Sequence, residues 1–255
     1  MTLSGIVVVT GTGTGVGKTV VTAAMAALAH EAGRRVAVVK PGQTGVAVDE
    51  PGDADDVRRL TGIGDVQELV RYPDPLAPAT AARLAGLPPL DLEATAARLA
   101  MLAAHRDLVL VEGAGGLLVR YDERGRGMAE LAAALDAPMV VVADPRLGTL
   151  NHTALTLEAM AHRGLELADV VLGSWPEAPD LAARSNLADL QDLAGRPLGG
   201  ALAAGAGSAA PAGFLALARA GLSPAWGGSF DAADFTRRHS PLGSAPSRPD
   251  GSRTS

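Results

Sequence analysis

The sequence predicts an α/β fold, in which a doubly wound, mostly parallel sheet carries helices on both faces in three layers. Short β-branched runs, such as residues 7–9, 36–39 and 108–111, alternate along the chain with alanine- and leucine-rich segments of helical periodicity. No internal repeat or linker divides this alternation before residue 235, whereas residues 236–255 are rich in Ser, Pro, Gly and Arg. We therefore expect one domain over residues 1–235 and a disordered tail over 236–255.

The elements follow from the same patterns. Beyond the first strand, the spacing predicts strands over residues 35–40, 107–111, 138–144 and 168–173, and a last strand and loop over 198–205. Residues 41–45 are expected to form a loop after the second strand. Helices are predicted over residues 20–33, 56–60, 79–84, 91–105, 128–135, 147–163, 181–193 and 213–220.

Composition narrows the class of protein. The 255 residues are 47% hydrophobic but only 3% aromatic, so the core must consist mostly of Ala, Val and Leu. The net charge of −6 does not support nucleic-acid binding. The chain has no cysteine, which fits a reducing compartment, and it shows neither a signal peptide nor an apolar run that would span a bilayer. We expect a cytoplasmic protein without a membrane or nucleic-acid partner.

A glycine-rich segment joins the first strand to the first helix. Residues 11–19 read GTGTGVGKT, which is the strand–loop–helix context of a phosphate-binding loop and predicts the P-loop NTPase fold. Lys18 is expected to reach the β- and γ-phosphates of a nucleotide, and the Thr19 hydroxyl to bind magnesium. The common spacing needs a glycine where Thr12 stands, so the loop is a variant. The alternative, a glycine-rich turn that binds nothing, is disfavoured by the flanking elements.

Lysine is unusually rare in this chain. Lys18 and Lys40 are the only lysines among 22 basic residues, and each lies where a predicted strand ends or just beyond. Coding bias towards arginine explains the general depletion but not these two positions. An ammonium is a compact point charge that fits a tight phosphate or carboxylate pocket better than a guanidinium. In open α/β sheets such pockets lie beyond the carboxyl ends of strands, so Lys40 and the following Thr44 are predicted near the phosphate loop.

Acidic residues in two segments are candidates for binding a cation. Asp53, Asp55 and Asp56 follow the second strand, where they suit either magnesium or capping of the helix predicted over 56–60, with Asp53 as the cap. Glu112 ends a buried strand, and glycines and alanine follow it over residues 113–116. A carboxylate there is costly to bury without a cation, which favours a metal or phosphate role over a structural one.

Four motifs occur in a fixed order between residues 5 and 205. They are the loop 11–19, residues 39–45 (VKPGQTG), residues 111–116 (VEGAGG) and residues 146–153 (RLGTLNHT). Together they resemble the dethiobiotin synthetase family of P-loop NTPases, although the first motif alone is close to that of many P-loop ATPases. The sequence departs from the family at residues 202–205, where a proline is often found in the loop that contacts the base.

The resemblance implies a reaction of biotin biosynthesis. A cyclo-ligase of this family joins 7,8-diaminononanoate and CO2 with ATP and Mg2+, through a carbamate and a carbamic-phosphoric anhydride. The products are dethiobiotin, ADP and phosphate. The resemblance also implies a homodimer, in which the helix after residues 148–151 meets the site of its neighbour and its N-terminus receives the substrate carboxylate.

The resemblance further implies roles for individual residues. The catalytic residues would be Lys18, Lys40 and Thr14. Substrate would contact Thr44, Leu150 and Asn151, and the metal would be held by Thr19, Asp53 and Glu112. Contacts to ATP are implied for Gly13, Gly15, Val16, Gly17, Lys18, Thr19, Val20, Asp53, Glu112, Gly113, Ala114, Gly115, Gly173, Ser174, Ala201, Leu202 and Ala203.

Two other functions are compatible with a phosphate-binding loop. A ParA- or MinD-like ATPase switch usually has a further lysine near the start of the loop, and residues 11–16 contain none. A regulatory P-loop domain without activity would not need Lys40 and Thr44. The motifs leave the nucleotide base open, as well as the choice among Asp53, Asp55 and Asp56, where register against the family favours Asp53.

Overall fold

A parallel sheet forms the centre of the structure, a computed structural model that describes residues 4–241. Its strands are β1 (Gly5–Gly11), β2 (Val36–Thr44), β3 (Val66–Tyr72), β4 (Leu108–Glu112), β5 (Met139–Ala143), β6 (Leu167–Trp175) and β7 (Gly200–Ala203). Within the described residues the helices are α1 (Lys18–Glu31), α2 (Asp53–Thr61), α3 (Pro78–Ala85), α4 (Leu92–Ala103), α5 (Met128–Ala134), α6 (Thr149–His162), α7 (Leu181–Ala194), α8 (Pro211–Gly221) and α9 (Ala232–His239).

The strand order places β1 in the middle of the sheet. The order is β3-β2-β4-β1-β5-β6-β7, and all pairings between these strands are parallel. β4 and β5 are buried along their whole length, because helices cover both faces of the sheet. Their continuous apolar sequences are therefore the expected signature of central parallel strands. The carboxyl ends of β1, β2 and β4 meet at one edge, which positions the site described below.

Two cores separate the helices into layers. One core joins the sheet to α1, α2 and α8, and the other joins it to α4, α5, α6 and α7. Alanines give α1 a narrow profile, so that nearly the whole helix is buried between the sheet and its neighbours. The doubly wound, three-layer α/β fold predicted from the sequence is confirmed. In residues 4–241, no helix is both long and apolar enough to cross a membrane.

The second strand is longer than predicted. Residues 41–44, expected in a loop, continue β2, because β3 pairs with them as far as Thr44 and Tyr72. β3 itself is absent from the sequence prediction, since Gln67, Glu68 and Arg71 interrupt its apolar pattern. It is an edge strand, and edge strands keep more polar residues than central ones. The prediction of a loop over 41–45 was therefore wrong for all but its last residue.

The C-terminal boundary also differs from the prediction. Residues 236–239, assigned to a disordered tail, belong to α9. Asp231 caps the N-terminus of this helix, because its side chain accepts a hydrogen bond of 2.9 Å from the Asp234 amide. Phe235 anchors it with its ring 5.0 Å from the ring of Trp175. The tail was placed too early because one buried aromatic residue fixes a short polar helix. Residues 242–255 lie outside the described part of the chain.

A buried carboxylate fastens the segment after α8 to the sheet. Asp169 at the start of β6 accepts a hydrogen bond of 3.1 Å from Nε1 of Trp226. Burial raises the pKa of Asp169 to about 6, although this bond and backbone amides oppose the shift. A folded-state pKa above the usual value of 3.8 means that the ionised carboxylate costs stability, increasingly as pH rises from about 4 to about 6. Trp226 offsets part of that cost.

Trp226→Phe is therefore expected to destabilise the protein more at pH 7.5 than at pH 5.0. A hydrogen bond to a charged acceptor contributes about 2 kcal/mol, and one to a neutral acceptor about 1 kcal/mol. Urea denaturation at the two pH values measures the difference. An equal loss of unfolding free energy at both pH values would show that the packing of the indole, and not its bond to Asp169, stabilises this segment.

Candidate active site

The glycine-rich loop is packed against the end of β6. Gly17 is the N-cap of α1 with φ of 95°, and a Cβ there would lie 2.6 Å from the carbonyl oxygen of Gly173. A Cβ on Gly173 would in turn lie 2.0 Å from the carbonyl oxygen of Val16. Glycine is therefore required on both sides of this contact. It holds the loop at the N-terminus of α1, where backbone amides and the helix dipole favour an anion.

The loop forms one wall of a cavity of about 440 Å³ at the carboxyl edge of the sheet. The cavity is lined by Thr14, Gly15, Gly17, Lys18, Thr19, Val20, Lys40, Gln43, Thr44, Val46, Asp53, Glu112, Ala114 and Gly115. Twelve of these fourteen residues were predicted from the sequence; Gln43 and Val46 were not. The structure thus brings the first three motifs together around one space.

Lys18 lies against the loop that precedes it. Its ammonium donates a hydrogen bond of 2.8 Å to the carbonyl oxygen of Gly13. Burial and the nearby charge of Lys40 lower the pKa of Lys18 to about 8. A bound anion would favour the charged form, so the ammonium is suited to phosphate binding.

Lys40 lies between two carboxylates, those of Asp53 and Glu112, which we call the carboxylate pair. Its Nζ is 2.5 Å from Oδ2 of Asp53 and 2.8 Å from Oε1 of Glu112. The Thr19 hydroxyl donates to the same Glu112 oxygen over 2.8 Å. Although burial alone would lower the pKa of Lys40, Glu112 and Asp53 together raise it, so Lys40 is an ammonium at neutral pH. The sequence predicts a cation beside Glu112. Within the described residues, Lys40 is a cation in contact with it.

The geometry of α2 decides which acid enters the cavity. The helix begins at Asp53 with Gly52 as its cap, so the predicted capping of a helix over 56–60 by Asp53 was wrong. Asp55 accepts from the Gly52 amide over 2.9 Å and completes the cap. Asp56 pairs with Arg59, one turn along the helix. Asp53 alone of the three lines the cavity, and Gln43 orients it by accepting a hydrogen bond of 3.0 Å from its amide.

Known proteins match this chain over nearly its full length. A family model described as an AAA domain matches residues 6–206. The ATP-dependent dethiobiotin synthetase of Frankia casuarinae is 66% identical to it, over 91% of this chain and 98% of that protein. The corresponding protein of Streptomyces coelicolor is 57% identical, over 92% and 99%. The chain belongs to the dethiobiotin synthetase family. The resemblance carried by the four motifs is thereby confirmed.

Solved structures of ATPases share the fold of this chain. The septum site-determining protein MinD of Pyrococcus horikoshii, complexed with Mg-ADP, aligns with a TM-score of 0.52 and 19% identity, over 94% of this chain and 95% of that one. A ParA family ATPase of Chlorobium tepidum aligns with a TM-score of 0.50 and 15% identity, over 78% and 83%. At these identities the likeness concerns the P-loop NTPase fold alone.

The oxygen donors of the cavity fit a magnesium ion that arrives with a nucleotide. In residues 4–241, no three His, Cys, Asp or Glu side chains cluster as ligands for a metal. Asp53, Glu112 and the Thr19 hydroxyl nevertheless supply three hard oxygen donors at one place. Magnesium is usually held by one or two carboxylates together with substrate phosphates. A magnesium ion that is bound together with phosphates needs no larger cluster of protein ligands.

Tyr121 supports the motif after β4 and was missed by the sequence analysis. Its hydroxyl accepts a hydrogen bond from the Ala114 amide, and its ring lies beneath Gly42, where a Cβ would be 3.2 Å from the ring. Burial raises the pKa of Tyr121 to about 12, so the hydroxyl stays neutral. The residue lies outside the four family motifs, and no local pattern marks it.

Several of the site residues predicted from the sequence lie outside the first cavity. They are Gly13, Val16, Gly113, Leu150, Asn151, Gly173, Ser174, Ala201, Leu202 and Ala203. Val16 and Leu202 are buried in the core, so their side chains are not available for contact. Leu150 and Asn151 lie in the first turn of α6, where Asn151 is exposed.

A second cavity of about 410 Å³ lies on the other side of the loop. It is lined by Thr12, Gly13, Thr14, Gly116, Leu117, Leu118, Val119, Leu155, Thr156 and Ala159. Thr14 lines both cavities, so they adjoin at the loop.

Proposed function

We propose that this chain is a cytoplasmic ATP- and Mg2+-dependent dethiobiotin synthetase. It would join 7,8-diaminononanoate and CO2 into the ureido ring of dethiobiotin, with release of ADP and phosphate. The observation that carries the proposal is the convergence of both lysines and the carboxylate pair on one cavity beside the phosphate-binding loop. The names of relatives up to 66% identical support the same activity.

The phosphate loop would bind the nucleotide. Its backbone amides, including those of Gly15 and Gly17, surround the phosphates, and the Lys18 ammonium leaves Gly13 to contact the β- and γ-phosphates. Val20 and the segments of Ser174 and residues 201–203 would contact the nucleoside. Thr19, Asp53 and Glu112 would hold magnesium, which when bound neutralises charge on the β- and γ-phosphates. These residues align the γ-phosphate for transfer.

The remaining polar groups would handle the carbamate. One substrate amine adds to CO2, loses a proton and becomes a carbamate anion. The Lys40 ammonium and the hydroxyls of Thr14 and Thr44 hold its oxygens near the γ-phosphate. A carbamate oxygen then attacks phosphorus, and ADP leaves. The second amine attacks the carbamate carbon of the resulting anhydride, which closes the ring and expels phosphate.

The second cavity would take the hydrocarbon chain of the substrate. Leu117, Leu118, Val119 and Leu155 give it apolar walls, and Thr14 connects it to the site of carbamate formation. An aliphatic chain with two amines at one end matches an apolar cavity that adjoins a charged one.

The test is direct assay of the purified chain with 7,8-diaminononanoate, bicarbonate and MgATP. We expect dethiobiotin, ADP and phosphate in equal amounts, with no ADP formed when the diamine is left out. ATP binding without dethiobiotin formation would favour a ParA- or MinD-like switch or a regulatory domain instead.

A homodimer completes the proposal. Leu118, Leu147 and Leu155 are exposed beside or within the N-terminal half of α6, and Leu147 is 87% exposed. Apolar side chains grouped in this way suit a contact with a second copy. The N-terminus of α6, with Leu150 and Asn151, would then face the substrate carboxylate bound by the neighbour.

Leu147→Arg is expected to convert the dimer to a monomer and to lower turnover at least about tenfold, because one charge at the centre of an apolar contact is costly to bury. Leu147 lines neither of the two cavities, so the variant leaves each site of the single chain unchanged. Light scattering and turnover are measured together. The matched control is Leu84→Arg on α3, which also replaces a leucine that is mostly exposed. A dimeric, fully active Leu147→Arg protein would refute this arrangement.

A further inference from the structure

The position of Lys40 within the carboxylate pair assigns it a second role. We propose that the Lys40 ammonium is the counter-cation of the metal site until a metal–nucleotide complex displaces it. The released ammonium is then the one that binds the carbamate. The inference rests on the proposed function, because it concerns the order of events in the same cavity.

The contacts of Lys40 coincide with the donors proposed for the metal. Nζ is within 2.8 Å of one oxygen of each carboxylate of the pair, and the Thr19 hydroxyl donates to the same Glu112 oxygen as Nζ does. Two of the three proposed donors, on α2 and β4, therefore contact the ammonium, and the third, on α1, bonds to the Glu112 oxygen. A divalent cation at these oxygens and an ammonium at 2.5–2.8 Å from them would repel each other strongly. The two cations are alternatives and not neighbours.

Burial explains why an internal cation is needed. Only 2% of the Glu112 side chain is exposed, and an uncompensated carboxylate at such a position is very costly. Lys40 removes that cost, and it also donates to the carbonyl oxygen of Gly113 over 3.2 Å. The carboxylate pair is thereby kept ionised and in place for magnesium. A metal that arrives without a nucleotide must compete with this ammonium, whereas one that arrives on phosphates brings further ligands.

Displacement leaves Lys40 within reach of the substrate. Its backbone is held in β2, but four methylene groups let the ammonium move inside the cavity while the strand stays fixed. Carbamate binding by Lys40 would then follow metal–nucleotide binding. Nucleotide-free protein would hold the carbamate poorly, because its key cation is already paired.

The two lysines allow a direct test on the unmodified chain. Protein labelled with 13C at the lysine ε-carbons gives two NMR signals, and Lys18→Arg identifies that of Lys40. We expect the Lys18 signal to shift on adding ADP, with either EDTA or magnesium present. The Lys40 signal should shift by at least about three times as much with magnesium as with EDTA. Equal shifts of Lys40 in the two conditions, or none with magnesium, would overturn the proposal.

A second experiment measures the competition directly. In nucleotide-free protein, Lys40→Met should bind Mn2+ at least about tenfold more tightly than the unmodified chain, as detected by electron paramagnetic resonance of the free ion. The matched control is Lys18→Met, which removes the other buried ammonium but leaves the pair occupied, so no gain is expected. Adding Glu112→Gln to Lys40→Met should abolish the gain. An Mn2+ affinity of Lys40→Met no higher than that of the unmodified chain would refute the competition.

Neither experiment depends on turnover, so the two proposals fail separately. Metal-dependent displacement of Lys40 in a protein that forms no dethiobiotin would refute the proposed function and leave the exchange standing. Normal dethiobiotin formation, with a Lys40 signal that does not shift when magnesium and ADP are added, would support the proposed function and refute the exchange. If Lys40→Met does not fold, the NMR experiment still decides the matter.

Discussion

Glu112→Gln is expected to lower turnover at least about a hundredfold while the fold is retained. Glutamine keeps the shape of the side chain and an oxygen that accepts from Thr19 and Lys40, but it removes the charge of a proposed metal ligand. Losing one preorganised charge at a phosphoryl-transfer site costs about this much in rate. Turnover at saturating ATP over a range of magnesium concentrations measures the effect.

The stability of the free variant separates a catalytic role from a structural one. The sequence alone predicts no loss of stability, because a buried charge disappears. Because Lys40 contacts Glu112, we expect a small loss of stability instead. The substitution would leave the ammonium with Asp53 as its single charged partner. Glu68→Gln is the matched control, because Glu68 also makes a partly buried ion pair, with Arg71, but does not line the cavity. Glu68→Gln should keep its turnover. Full activity with early unfolding of Glu112→Gln would make Glu112 a structural residue.

Lys18→Arg is the second substitution with a large expected effect. Its ammonium lies 2.8 Å from the Gly13 carbonyl oxygen, inside a loop that is packed against Gly173 with no space for a Cβ. A guanidinium keeps the charge but is wider and planar, so it would push the loop away from the phosphates. We expect ATP affinity and turnover each to fall at least about a hundredfold, comparable to the loss of a main phosphate contact.

Lys40→Arg is the comparison that tests this explanation. Lys40→Arg should reduce ATP affinity less than Lys18→Arg does, but it should reduce turnover by as much. The reason is that Lys40 would act on the carbamate and not on the nucleotide. Calorimetric ATP binding and dethiobiotin formation, measured on both variants, give the contrast. Near-normal turnover in either variant would show that a compact ammonium is not required at that position.

Much of the candidate site could be predicted because its parts are local. A glycine-rich turn between a β-branched strand and a helix predicts a phosphate-binding loop from one short stretch, and Gly17 indeed adopts a left-handed conformation just before α1. The two lysines were singled out by their rarity and position, and both line the cavity. Local chemistry of this kind is visible in any one stretch of sequence.

Other features could not be predicted because they depend on pairing between distant segments. The extension of β2 to Thr44 requires β3, whose polar residues hide it from pattern analysis. The choice of Asp53 over Asp55 and Asp56 depends on where α2 begins, and Gly52 and Gln43 decide that. Tyr121 reaches the Ala114 amide only because the loop after β4 folds back under β2.

The amino-acid sequence by itself determined the fold class, the family and the residue types at the site, because periodicity and motif spacing act over a few residues. Only the tertiary structure decided that Lys40 neutralises Glu112. The two residues are 72 positions apart, and they meet because β2 and β4 are neighbours that pair in register up to Val39 and Val111. Strand order is set by the packing of helices on both faces of the sheet, so it cannot be predicted from any short stretch of sequence.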